Sequence, residues 1–349
     1  MLQIDGSQGE GGGQILRTAL SLGALTGEAV RIFNIRAGRS QPGLSAQHVT
    51  CCRAVAEVCN GRIEGAEMRS GEVVLHPGTI TGGSYEFDVA AVRPSAGSTS
   101  LVLQSVMPVL ALAPKASTVA IHGGTDVKWS PPYSYLANTF VPALEECGLR
   151  VTLSRPRAGF YPVGEGLLTA EIQPAAEGLK PMWMVERGDV ESVTVSSTVA
   201  QGLPDHILHR QNKAAARVLG DEGLKASCEE YYPDSTSPGT TCVVSIVYKN
   251  GYGGFAALGE RGKPAEEVGK EAAHKALGFI HSQAAVDSHL ADQLLLYMAL
   301  GCGESVIQTH EVTSHLKTNA AVAQQLLDVP VSFHDYGTVT VYGMGLCHV

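Results

Sequence analysis

The sequence predicts a layered α/β protein carrying a second, inserted module. Segments of helical period alternate with short strand-like runs from residue 15 to residue 172. Glycine-rich turns echo one another along the chain. Arg36-Ala37-Gly38 follows one strand and Arg157-Ala158-Gly159 another, while Gly82-Gly83 and Gly123-Gly124-Thr125 punctuate similar turns. After residues 174–181 (PAAEGLKP), which read as a linker, the pattern changes.

Taken in order, residues 15–25 read as an amphipathic helix and 30–35 as a strand. Residues 45–59 form a second helix, stopped by Asn60-Gly61. Strands follow at 72–76 and 85–89, then a helix at 98–112, a strand at 118–122 and a helix at 133–147. Strands at 151–154 and 167–172 close this portion. The later module has a strand at 192–196, a helix at 206–219 and a strand at 226–231. A polar loop, PDSTSPG, then precedes a strand at 242–248, and Asn250-Gly251 makes a tight turn into another. A long helix from 265 to about 285 leads back, with the main layer resuming near His281.

A chain of 349 residues with 44% apolar content is enough for about two domains with a substantial core. Charged residues are only 17%, which excludes charge-driven disorder. The net charge of −9 argues against broad, non-specific binding to nucleic-acid phosphates but leaves room for a small basic site. The N-terminal MLQIDGSQGEGGGQ has no basic-then-apolar leader. The most apolar stretch, 101–121, is broken by Gln104, Pro108, Pro114 and Lys115, so no membrane span is expected. Eight cysteines (Cys51, Cys52, Cys59, Cys147, Cys228, Cys242, Cys302 and Cys347) contain no CxxC pair. Free, mostly buried thiols in a reducing cytoplasm are the expectation.

Three segments carry chemistry. GEGGGQ (9–14) fails both GxGxxG and the Walker pattern. Small residues around one carboxylate before a helix nevertheless leave backbone N–H groups for an anion, with Glu10 placed to hold a divalent metal beside it. Arg17, one turn into that helix, reaches toward the same spot. By itself the segment reads equally as a glycine turn with a solvated glutamate. NIRAGRSQPGLSAQH places Arg36 and Arg39 on a loop, followed by Gln47 and His48 at a helix start. Residues 1–60 hold five arginines against four acidic residues, and guanidinium pairs suit phosphate. In THEVTSHLKTN, Thr318 is expected to cap a helix over 319–327. His315 then lies just outside that helix's positive end, which favours the neutral imidazole a nucleophile needs. His206 and His209 share a helix face but have no third ligand nearby, so no metal site is assigned to them.

Together these pieces resemble the RNA 3′-terminal phosphate cyclase family along nearly the whole chain. The carrying motifs are DGSQGEGGGQILR, IRAGRSQPGLSAQH, SAGSTSLVLQ, HGGTDVKWSPP, HLADQ and SHLKTN. The resemblance implies a large domain of repeated ββαβα-type units, related to enolpyruvyl transferases, over residues 1–183 and 281–349. It further implies a smaller, thioredoxin-like inserted domain over 184–280. The implied reaction uses ATP and Mg²⁺ or Mn²⁺ to convert an RNA 3′-phosphate to a 2′,3′-cyclic phosphodiester, releasing AMP and pyrophosphate.

By resemblance, His315 is the nucleophile that carries AMP and Glu10 holds the metal. Gln104, Pro131, His289, Asp292 and Gln293 belong to the ATP site. Arg17, Arg36, Arg39, Gln47 and His48 receive phosphates of ATP or of the RNA end. The family commonly has Tyr where this chain has His289, opposite the proline of an adenine sandwich, so weaker ATP binding or an altered nucleotide choice is expected here. A non-catalytic, cyclase-like ribosome-assembly protein is the alternative, and such relatives lack the nucleophilic histidine. An enolpyruvyl-transferase-like enzyme is reached only by fold analogy.

Overall fold

The computed structural model describes residues 1–346. One unit is used three times. The first repeat runs β1 (Leu2–Asp5), α1 (Gly13–Thr26), β2 (Val30–Phe33), α2 (Ala46–Val58), β3 (Arg62–Glu64), β4 (Val73–His76). The second runs β5 (Ser84–Asp88), α3 (Thr99–Ala111), β6 (Ser117–Gly123), a helical stretch made of α4 (Tyr133–Tyr135), a π turn (Leu136–Phe140) and α5 (Val141–Glu145), then β7 (Arg150–Arg157) and β8 (Gly166–Gln173).

The third opens with β9 (Trp183–Met184) and is interrupted by β10 (Val190–Val199), α6 (His206–Asp221), β11 (Ser227–Tyr231), β12 (Thr240–Tyr248), β13 (Gly251–Leu258) and α7 (Ala265–Ser282). It resumes with α8 (Ser288–Leu300), β14 (Cys302–Gln308), α9 (Ser314–Leu327), β15 (Val331–Phe333) and β16 (Thr338–Met344).

The three repeat sheets have one topology: β1-β2-β4-β3, β5-β6-β8-β7 and β9-β14-β16-β15. In each, the first two strands are parallel and the other pairs antiparallel. The repeat is thus β-α-β-α-β-β, with one strand more than the ββαβα unit expected. The extra strand is hard to read because β3 and β15 have three residues and β9 only two, too short for a period of two to show. The glycine echo does not mark this repeat. Arg36 to Gly38 follows the second strand of repeat one, whereas Arg157 to Gly159 follows the third strand of repeat two.

Helices α1, α2, α3, α8 and α9 pack on one another between the sheets. At the centre, α3 is buried at every position except Gln104, so apolarity all round marks a helix enclosed between α1 and α2 on one side and strands β6 and β8 on the other. The PAAEGLKP stretch is not a solvated linker, since Ala175 and Leu179 are buried in the main core. The expected helix over 133–147 is split by the π turn. Pro142 supplies no N–H to the helical ladder there.

The inserted segment forms its own sheet, β11-β10-β12-β13, and its own apolar cluster around Val195, Leu219, Val244, Ile246 and Phe279. A parallel βαβ unit (β10, α6, β11) followed by an antiparallel hairpin and α7 gives it the thioredoxin-like connectivity. The helix expected to reach about residue 285 ends at Ser282, where Gln283 turns left-handed with φ 63°. No described helix is long and apolar enough to cross a membrane. Cys51, Cys52, Cys59, Cys147 and Cys242 are free and buried, Cys228 and Cys302 free and exposed; Cys347 lies outside the described residues.

Candidate active site

Loops at the carboxyl ends of the parallel strands are where side chains from different repeats meet. After β1, Asp5 Oδ1 accepts hydrogen bonds from Ser7 N at 3.0 Å and Ser7 Oγ at 2.7 Å, which turns the chain into the glycine-rich loop. Gly9 has φ 55°, and a Cβ there would lie 2.1 Å from Thr318 Oγ1. Only glycine permits that approach, which lets Glu10 N donate to Thr318 Oγ1 at 3.4 Å and joins repeat one to repeat three.

The Glu10 carboxylate is the hub. Its Oε2 lies 3.0 Å from His315 Nε2 and 3.1 Å from Arg39 Nη2, and the same Arg39 nitrogen donates to Glu10 O at 3.1 Å. Glu10 is 11% exposed, against 49% for His315 and 46% for Arg39, so a shielded carboxylate sits behind an accessible imidazole and an accessible guanidinium. Burial pushes the Glu10 carboxyl up. The His315 hydrogen bond and the charges of His315, Arg39 and Arg17 outweigh it, and the net shift is downward. An open pocket of about 320 Å³ lies in front, lined by Ser7, Gly9, Glu10, Gly11, Gly38 and Arg39.

Two expectations about His315 are corrected. The helix starts earlier than 319: Thr313 is its N-cap, accepting from Leu316 N at 3.1 Å, and His315 is the second helical residue. Thr318 is not a cap. Its hydroxyl donates to Ser314 O at 2.7 Å and receives Glu10 N. Nor is the resting imidazole biased toward neutrality, because the Glu10 hydrogen bond raises the His315 pKa above its ordinary value and outweighs burial.

His48 and Arg17 form the second wall. His48 Nδ1 receives Ser45 N at 3.1 Å and contacts Ser45 Oγ at 2.8 Å, a reciprocal cap that orients the ring. Burial, then the charges of Arg17 and Arg36, pull His48 down to about 3, so it stays neutral. Its Nε2 lies 2.2 Å from where a Cβ on Gly13 would sit. Gly13→Ala is therefore expected to destabilise the fold by ~1–2 kcal/mol, although alanine at a helical position ordinarily stabilises by up to ~1 kcal/mol. Urea denaturation checks the sign.

Behind Arg17, α1, α3, α8 and α9 enclose a cavity of about 30 Å³, lined in part by Gln14, Arg17, Gln104, Asp292, Gln293 and Asn319. That is room for about one water. Asn319 donates to Asp292 Oδ1 and, at 3.1 Å, to Asp292 O, while its Oδ1 accepts from Thr18 Oγ1 at 2.7 Å. Burial raises Asp292 to about 6, opposed by the charges of His315 and Arg17. Gln104 Nε2 donates to Gln293 Oε1, and Gln293 Nε2 donates to His289 O at 2.8 Å and Tyr135 OH at 3.2 Å. Tyr135 OH in turn donates to the buried Asp287 at 3.4 Å.

The remaining expected residues are placed as follows. Arg36, with φ 53°, gives Nη1 to Gly43 O at 2.7 Å, and Gln47 Oε1 accepts from Ser98 N at 3.0 Å at the start of α3. Pro131 lies on the loop before α4, and His289 is exposed on the first turn of α8. The Tyr135 hydrogen bonds join α4, which follows the Pro131 loop, to α8 and its cap Asp287. Sequence reasoning missed Thr18, Tyr135, Asp287 and Asn319. Asp287 had a readable signal, an acidic residue directly before a helical run, and it caps α8 through His289 N and Leu290 N, both at 2.9 Å. Asn319 lay inside a motif already noted. Thr18 and Tyr135 gave none.

A family model described as RNA 3′-terminal phosphate cyclase matches residues 8–333. Relatives named RNA 3′-terminal phosphate cyclase include one from Methylococcus capsulatus, 43% identical over 100% of this chain and 99% of its own length. One from Methanopyrus kandleri is 43% identical over 95% of this chain and 94% of its own length. One from Pyrobaculum aerophilum is 41% identical over 99% of both chains. The enolpyruvyl transferase NikO from Streptomyces tendae aligns with 99% of this chain and 48% of its own at 11% identity and TM-score 0.40, a likeness too slight to argue from. With a match of this extent over the loops that join Glu10, Arg39 and His315, the chain belongs to the RNA 3′-terminal phosphate cyclase family.

Proposed function

We propose that this protein is an ATP-dependent RNA 3′-terminal phosphate cyclase that works through AMP carried on His315. The observation that carries the reading is the 3.0 Å contact of His315 Nε2 with Glu10 Oε2, at a helix N-terminus facing a glycine-rich loop. Nε2 is the nitrogen turned to the carboxylate and must lack a proton when it attacks. Glu10 Oε2 is within reach to take that proton.

Nε2 then bonds to the α-phosphorus of ATP as the bond to the β-phosphate oxygen breaks and pyrophosphate leaves. An oxygen of the RNA 3′-phosphate next attacks that phosphorus and the P–N bond breaks, giving an RNA–ppA end. Last, the adjacent 2′-OH attacks the 3′-phosphorus and AMP leaves. A phosphate monoester has no good leaving group, and adenylylation supplies one. Ring closure is intramolecular, so positioning provides much of its rate.

Arg39 and Arg17 offer guanidinium donors for phosphate oxygens, and neutral His48 offers ring Nε2 without adding charge. Glu10 fits a hard divalent cation such as Mg²⁺ or Mn²⁺. Its Oε2 is committed to His315 and Arg39, and among the described residues no hydrogen bond reaches Oε1. When bound there, the cation neutralises phosphate charge. Residues 1–183 and 281–349 act as the catalytic body and 184–280 as an inserted domain, in a cytoplasmic protein with free thiols. The presence of both Glu10 and His315, in contact, stands against a non-catalytic role.

The test is 3′-phosphorylated RNA with ATP and metal. The terminal phosphate is expected to become phosphatase-resistant, and a terminus that stays sensitive refutes the reading. His289→Tyr is expected to tighten ATP binding several-fold through a larger stacking face. The ATP Kd checks this, and no tightening removes His289 from the base-stacking role.

A further inference from the structure

Each repeat ends its parallel strand pair in two neighbouring loops. In repeat one these loops carry Glu10 and Arg39, and in repeat three the second loop leads into His315. The corresponding loops of repeat two are residues 89–98 and 124–132, joined by Gly124 N donating to Gly97 O and Thr99 N to Gly124 O, both at 2.8 Å. This pair occupies the same place in the fold but presents different chemistry.

Trp129 stands on the second loop 95% exposed, in a left-handed conformation with φ 66° that a bulky residue rarely adopts. The loop beneath it is fixed from several sides. Thr125 N and Asp126 N donate to Gly159 O at 2.9 and 3.1 Å, Arg155 Nη1 donates to buried Asp126 Oδ2 at 2.7 Å, and Lys128 pairs with Glu260 at 2.7 Å. An indole is thus held out into solvent by a rigid base.

A second ring, Tyr161 at 78% exposure, stands on the adjoining loop that contains Gly159 and Gly164. Gly164 packs so closely on Ala96 that an added Cβ would sit 2.9 Å from its Cα. Arg93, exposed, lies on that same Ala96 loop. Two aromatic faces and a guanidinium therefore share three touching loops. Gln47, one residue before His48 of the phosphate-facing wall, reaches these loops through Ser98 N.

Resting on the cyclase reading, we propose that the repeat-two loops are a stacking platform for the unpaired bases of RNA leading to its 3′ end, with Trp129 as the main surface. Planar side chains with an adjacent cation stack on any base without reading sequence, and they require bases free of a partner strand. The platform selects single-stranded termini in a protein whose net charge of −9 gives no general affinity for phosphates.

The chain has two tryptophans, so in a Trp183→Phe background Trp129 is the only indole reporter. Titration with a single-stranded 3′-phosphorylated oligoribonucleotide is expected to quench its emission, and a blunt duplex or ATP alone is not. Trp129→Ala is expected to raise the RNA KM about tenfold or more, with Trp129→Phe restoring most of the loss. Unchanged emission at saturating RNA, quenching by ATP in place of RNA, or an unchanged RNA KM in Trp129→Ala each overturns the platform. If the wild-type protein closes no ends, the cyclase reading fails, and the emission titration still decides whether RNA stacks on Trp129.

Discussion

His315→Ala is expected to abolish both the protein–AMP adduct and end closure, lowering turnover by on the order of 10⁴ or more, as loss of a covalent nucleophile does. Incubation with α-labelled ATP and metal reads the first step alone. Wild-type protein should hold label that is lost in acid and kept in alkali, the behaviour of a phosphorus–nitrogen bond. Label that survives the substitution moves the nucleophile elsewhere. His310 is then the first suspect, since it precedes the same helix, although its ring packs edge-on to Phe279 at 5.7 Å and burial lowers its pKa.

A second large effect is expected in stability. Arg155 and Asp126 form an ion pair at 2.7 Å with side chains only 3% and 1% exposed. Arg155 also donates to Thr198 of the inserted segment at 3.2 Å and lies 4.8 Å from the Tyr133 ring and 5.9 Å from the Tyr231 ring. Removing one partner leaves a buried, unpaired charge, so Arg155→Ala is expected to cost about 3–5 kcal/mol. Already, Asp126 Oδ1 and Arg155 Nε have no hydrogen-bond partner among the described residues. The pair is thus a junction between repeat two and the insert more than a source of net stability.

The double replacement Arg155→Met/Asp126→Leu should recover much of the loss, because two apolar side chains need no charge partner. Denaturant unfolding of the single and double variants separates the cases. A loss below ~1 kcal/mol for Arg155→Ala would mean that water reaches the pair.

How much of the site could be read in advance varies by residue. The loop glycines, Glu10, Arg39 and His315 stand in long motifs, and the three side chains do converge. Their mutual contact was not legible. Glu10 and His315 are 305 positions apart, and nothing local in either segment encodes the approach that Gly9 allows to Thr318. The start of α9 was misread because Thr313 and Thr318 are both plausible caps. The structure separates them: Thr313 accepts the Leu316 amide, whereas Thr318 lies inside the helix and donates back to Ser314 O. Arg36 and Gln47 are also tied to the loops they stand on or beside, through Gly43 O and Ser98 N, contacts that neither motif announces.

By itself the sequence determined the α/β class, the main helices and strands and the family, because periodicity, turn residues and long motifs are local properties. Only the tertiary structure decided that three β-α-β-α-β-β units share one topology, that they bring Arg39 and His315 each to within 3.1 Å of Glu10, and that Trp129 stands free on the middle one. Strand pairing and loop convergence are set by contacts between residues remote in the chain, and no short window of sequence carries them.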